Sequence, residues 1–178
     1  MLNKLKLLFP ILSIIFVVSL IYSVTEFRLN EYKKYPEYYK TITMEQREKE
    51  LACLARNIYF EAAKEPFEGK VGVAQVVMNR VEDGQFANTI CGVVYQKNKV
   101  YEKIICQFSW YCESPSKLKV RSDEHYKESY EVAKKVLLEG FRLSVLDDAL
   151  YYHADYVNPR WKLKRITKIG AHIYYGKV

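Results

Sequence analysis

Two helical apolar stripes separated by a proline constrain this chain most. Within residues 43–63, Leu51, Leu54, Ala55, Ile58 and Ala62 recur at the spacing that lines one face of an α-helix. Pro66 interrupts the stripe and suits the first turn of a second helix, where Phe67, Val71, Ala74, Met78 and Val81 again share a face. Asp83-Gly84 ends it, since glycine readily takes the left-handed conformation that closes a helix. A third helix is predicted from Ser122 or Asp123 to Gly140, with Tyr126, Tyr130, Ala133 and Leu137 turned inward. Between them, residues 85–122 hold a short apolar piece (Ile90 to Tyr95) but no sustained period, and loops are expected there. The tail RITKIGAHIYYGKV alternates around Ile169-Gly170-Ala171 and reads as a small hairpin or an extended segment. These signals predict a mainly helical α+β class with one domain over residues 44–178.

The N-terminus has a different character. Lys4 and Lys6 precede the run Leu7 to Val24, 18 residues without a charge. At about 1.5 Å per helical residue this reaches roughly 27 Å, against a bilayer core of about 30 Å. Residues 1–24 are therefore expected to be a signal anchor. The alternative is a signal peptide cleaved near Ser23, although Ile21 stands where a small residue is wanted. Residues 25–43 are charged and tyrosine-rich without an apolar period, which predicts a stalk. The following domain would then face outward, in the periplasm or at the outer surface of the inner membrane, or be secreted if the signal is cut.

Cysteine content fits an exported domain. Cys53, Cys91, Cys106 and Cys112 make an even count that can form two disulfides in an oxidising compartment, in any of three pairings, with buried free thiols as the alternative. No CxxC occurs and the spacings match no usual zinc site, so no metal and no cofactor is expected. The net charge is +7, and omitting Lys4 and Lys6 leaves +5 on the rest. A basic surface attracts polyanions, but nucleic acid conflicts with the export segment and is not an expected partner.

One acidic residue is out of place. On a helical wheel Glu61 falls about 20° from Leu54, at the edge of the buried stripe. A half-buried carboxyl among apolar neighbours resists ionisation and is suited to general acid work. The bland alternative is a flanking charge paired with Arg56 or Lys64.

The stretch LACLARNIYFEAAKEPFEGKVGVAQVVMNRVEDGQFANTICGVVYQ, continued by CQFSWYCES, YYHADYVNPRW and KIGAHIYYG, resembles the spore-cortex-lytic (SleB-type) cell wall hydrolase family over roughly Leu51 to Tyr175. The resemblance implies a lysozyme-like fold related to lytic transglycosylases, peptidoglycan as substrate, and Glu61 as the catalytic acid of the IYxEA block. The sequence departs from the family at EAAKEP, where EARGEP is frequent, which touches the helix connection and not the acid. A lytic transglycosylase works with one carboxylate. If a second one acts, Glu65, Glu68, Asp123 and Asp155 are candidates.

Gln107, Ser109 and Trp110 of QFSWYC are candidates to line a sugar cleft, with Phe108 and Trp110 as core and Gln107 as a loop hydrogen bond in the alternative. Tyr151, Tyr152 and His153 resemble the family's YHA-like block, of which Tyr152 and His153 are candidate substrate contacts, and a structural role for His153 stays open. Gln75 is expected to face inward and orient Glu61 or a substrate amide, or else to make a plain interhelix bond. Asn79 and Arg80 resemble the family's NR pair, with capping and surface pairing expected, and His125 and His172 are assigned to structure or surface. The expected function is cleavage of the bond from N-acetylmuramic acid to N-acetylglucosamine by a monomer. A non-catalytic peptidoglycan-binding envelope protein is the rival reading.

Overall fold

The structure is a computed structural model that describes residues 13–24, 42–113, 119–120 and 122–178. The chain divides into two compact units, Met1–Lys40 and Thr41–Val178. In the first, residues 13–24 are helical, with exposed apolar side chains that include Ile14, Phe16 and Leu20. No helix among the described residues is long and apolar enough to cross a membrane. Residues 7–12 of the apolar run and most of the expected stalk lie outside the described residues.

The second unit is built on two helices. Helix α1 (Met44–Ala62) starts at Thr43, whose side chain accepts from the Gln46 N–H at 3.2 Å, and it buries Leu51, Leu54, Ala55, Ile58 and Ala62 as expected. Helix α2 (Phe67–Asp83) is preceded by Pro66 as its N-cap and ends at Gly84, whose φ of 77° a side chain would strain. Every residue from Gly69 to Met78 is buried, so α2 is the central helix rather than a one-sided one. At Gly72 its backbone lies against the ring of Tyr174, where an added methyl would sit 2.8 Å from Cζ. A short helix α3 (Ile90–Val94), capped by Thr89, forms from the apolar piece. Helix α4 (Asp123–Leu137) is capped by Ser122 and stops short of Gly140, because the Leu138 and Glu139 N–H groups close back onto the Lys134 carbonyl. Its buried face is Ser129, Val132, Ala133, Val136 and Leu137, while Tyr126 and Tyr130 are only half-buried.

The expectation of loops over residues 85–122 is corrected by a β-hairpin, β1 (Lys97–Val100) with β2 (Lys103–Cys106), followed by a 3-10 turn at Ser109–Cys112. Lysines alternate irregularly with apolar residues and almost every position is exposed, so no period-2 pattern marks these strands. The C-terminal hairpin forms as predicted from β4 (Lys164–Ile169) and β5 (His172–Gly176). It gains an unforeseen third strand, β3 (Tyr151–Ala154), in the antiparallel order β3–β5–β4.

Both disulfides exist, in a pairing the spacing left open: Cys53–Cys91 ties α1 to α3, and Cys106–Cys112 ties β2 to the 3-10 turn. The first closes 38 residues and the second 6. Loop-closure entropy then predicts about 4 and about 2 kcal/mol of stabilisation respectively.

A row of polar side chains on α2 determines where the sheet lies. Gln75 exchanges two bonds with the backbone of Leu143, donating to its carbonyl at 3.1 Å and accepting from its N–H at 2.8 Å. Asn79 donates to the carbonyls of Leu146 and Ala149, both at 2.8 Å, and Arg80 Nε donates to that of Leu150 at 2.8 Å. Residues 143–150 run directly into β3, so this row fastens the strand to the central helix. Around it Val76, Leu146, Ala149 and Tyr174 form a buried cluster.

Candidate active site

Glu61 stands in the last turn of α1, half-buried. The Tyr152 hydroxyl, from β3, donates to its Oε2 at 3.0 Å. Burial pushes the Glu61 carboxyl above its ordinary value of 4.5, while the Tyr152 hydrogen bond and the positive charge of Arg80 pull it part of the way back. The carbonyl end of α1, with no basic residue in its last turn, acts in the same direction as burial by disfavouring a negative charge. Burial also raises Tyr152 well above the usual tyrosine range, and the Glu61 charge raises it further, so Tyr152 stays a hydrogen-bond donor.

Arg80 is the residue that sequence reasoning missed. It is 5% exposed rather than paired at the surface, and burial lowers its guanidinium below the ordinary value. The rings of Phe86, Phe108 and Tyr151 surround it at 5.1, 5.2 and 5.9 Å. Its apolar helical phase beside Val76, Val77 and Val73 was the available signal, overridden by the habit of placing arginine outside.

The other expected site residues separate. Tyr152 meets Glu61. Gln75 is fully buried and its amide is engaged with Leu143 and, at 3.5 Å, with Asp147, so it holds the α4–β3 connection instead of reaching Glu61 or a substrate. Trp110, expected in the cleft, is 6% exposed; its ring stacks on Phe60 at 4.5 Å and its indole N–H donates to Asn57 at 3.0 Å. That corrects it to a packing residue, because the face a sugar would need is covered. Gln107 continues the β-hairpin through its backbone N–H to Gln96, and Ser109 is exposed at the start of the 3-10 turn.

His153 is adjacent to Tyr152 but points to the opposite face of the sheet, stacked on Tyr175 at 5.2 Å with Nε2 bonded to the Tyr175 hydroxyl at 3.0 Å. His172 is buried against Tyr152, as its structural assignment expects. Of the second carboxylates, Glu65 accepts from the Ala171 N–H at 2.9 Å, and Asp155 pairs with Lys168 at 2.7 Å. Glu68 is exposed in the first turn of α2, and the Asp123 side chain lies outside the described residues. Cavities of about 350 Å³ beside Asn79, Asp148 and Lys164 and of about 450 Å³ beside Glu45 and Thr89 do not include Glu61. Among the described residues no cluster suited to a metal ion occurs.

The fold and this site define a mainly helical α+β domain organised around one protonatable carboxyl. Its architecture is that of the catalytic domain of the Bacillus cereus SleB protein, matched with a TM-score of 0.53 and 26% identity over 72% of this chain and 90% of that one. The chain belongs to the cell wall hydrolase family, whose profile matches residues 64–175. That match opens just after Glu61, so the role of this acid rests on the geometry. Spore cortex-lytic enzymes are 30% identical in Bacillus cereus and 28% in Bacillus subtilis, each over 129 residues and 70% of this chain. The chain spans about two fifths of the length of these curated relatives, 43% and 37%.

Proposed function

We propose that this protein cleaves peptidoglycan glycan strands between N-acetylmuramic acid and N-acetylglucosamine, as a lytic transglycosylase with Glu61 as its acid and base. The observation that carries the reading is the half-buried Glu61 carboxyl, whose burial disfavours ionisation and whose Oε2 accepts from the Tyr152 hydroxyl. Glu61 gives its proton to the glycosidic oxygen as the bond from C1 breaks, and the sugar develops oxocarbenium character. The resulting carboxylate takes the proton of the muramic 6-hydroxyl while that oxygen bonds to C1. The product is a 1,6-anhydro end, Glu61 is again protonated, and no water is consumed. The engagement of Glu65 and Asp155 in structural contacts supports a one-carboxylate mechanism over hydrolysis. His153, Gln107 and Ser109 are proposed substrate contacts at the rim.

In this reading residues 1–24 anchor the chain in the inner membrane, residues 25–43 form the stalk, and residues 44–178 act as an extracytoplasmic monomer. Two disulfides support an oxidising compartment. The test is mass spectrometry of fragments released from sacculi by the purified protein and by Glu61→Gln. Anhydromuramic ends from the wild type alone are expected. Reducing ends would replace the transglycosylase with a hydrolase, and wall binding without cleavage would leave a non-catalytic envelope protein.

A further inference from the structure

Arg80 is a buried cation whose Nη1 has no hydrogen-bond partner among the described residues. Such a group in a folded core calls for an explanation, since removing a donor from water without a partner is unfavourable and removing a charge is more so. Its Nε is fixed on the Leu150 carbonyl at 2.8 Å, and the Phe86, Phe108 and Tyr151 rings hold its plane. Leu150 is two residues before Tyr152, whose hydroxyl touches Glu61, so the clamp that fixes Arg80 also fixes the donor to the acid. A purely structural clamp would need only one neutral N–H. The guanidinium holds a full charge at the start of the strand that presents Tyr152 to Glu61, and its field acts on the Glu61 carboxyl.

We infer that Arg80 is a positioning residue for the reaction proposed above, a fixed counter-charge that stabilises the Glu61 carboxylate between giving and regaining its proton. Proton balance is unchanged: the proton travels from Glu61 to the leaving oxygen and returns from the 6-hydroxyl, and Arg80 keeps its own throughout. The groups that act on Glu61 are Tyr152 from β3 and Arg80 from α2; Tyr174 from β5 and the His172 ring face Tyr152 from behind. Glu61 and Arg80 are also the residues that pull each other toward their charged forms.

The experiment compares the full chain with Arg80→Met, which keeps the apolar stem and removes the charge, and with Arg80→Lys, which keeps a charge. The Glu61 carboxyl is titrated by carbon NMR, and the pH–rate profile on sacculi is recorded in parallel. In Arg80→Met the Glu61 titration and the alkaline limb of activity should both move up by about one pH unit, with kcat down about tenfold and KM unchanged. Arg80→Lys should keep the wild-type limb. If Arg80→Met does not fold, Arg80→Gln, whose amide can still donate to Leu150, reads the same shift. A folded neutral variant with an unmoved Glu61 titration overturns the inference. The NMR titration gives this answer even if sacculi are never cleaved, so failure of the proposed activity and failure of the Arg80 role are told apart.

Discussion

Tyr152 and His153 are neighbours on one strand, and the two faces of the sheet they serve are organised differently. The inner face carries Tyr152, half-buried with its hydroxyl on Glu61, beside the buried rings of Tyr174, which rests on α2 at Gly72, and His172. The outer face carries Tyr151, His153 and Tyr175, with Trp161 set edge-on to all three and itself 41% exposed. Aromatic rings crowd both. On the inner face burial makes each polar group electrostatically consequential, because little water remains to screen it. On the outer face His153, Tyr175 and Trp161 remain nearer water and contribute packing and polar edges, and Tyr151 alone of that group also meets the buried Arg80. Adjacent residues in a block of sequence can therefore belong to separate physical systems, and only the strand alternation reveals it.

Substitutions can break or sharpen this contrast. The largest effect is expected for Glu61→Gln, with cleavage reduced about 10²- to 10⁴-fold in a folded protein. The same substitution changes stability in a pH-dependent way. Because the folded carboxyl titrates above its ordinary 4.5, ionisation removes stability as pH rises through the folded value. Melting curves of the wild type and Glu61→Gln should coincide near pH 4 and separate in favour of the variant toward neutrality. Coincidence throughout would mean that Glu61 is not perturbed.

Next comes Tyr152→Phe. Losing a hydrogen bond to a charged group costs about 1.5–3 kcal/mol, hence roughly 10- to 100-fold in kcat, and the alkaline limb should move upward because a contact favouring the carboxylate is gone. On the outer face, His153→Ala should raise KM a few-fold and lower stability by about 1 kcal/mol while leaving that limb in place. A displaced limb would show that the two faces are not independent. Trp161→Ala should have the smallest effect, under about 1 kcal/mol in denaturant melts with kcat unchanged.

The three long helices were legible because their apolar spacing and their ends agree: Thr43, Ser122 and Gly84 stand where caps are needed. Glu61 was legible as an acid at the edge of such a stripe. The β1–β2 hairpin was not, since neither of its faces is buried and register leaves no trace in an exposed strand. Gln75, Asn79 and Arg80 show a second limit. Their positions on α2 were readable, but their partners are backbone carbonyls and an N–H of residues 143–150, groups every residue possesses and no sequence pattern distinguishes. Trp110 misled for a related reason, as an aromatic beside polar residues reads equally as a sugar platform or as a ring packed on Phe60.

The contact between Gly72 and Tyr174 bears on how such a protein can vary over generations. A single hydrogen atom at position 72 is what allows the ring to rest on the helix, and Tyr174 is in turn paired across the sheet with Tyr152. Alanine there, reachable by one base change, would have to displace the ring at 2.8 Å or shift the strand beside it. A lineage carrying that change would show a displaced Tyr152 with the Glu61 carboxyl itself intact, and the surest route back would be a smaller side chain at position 174.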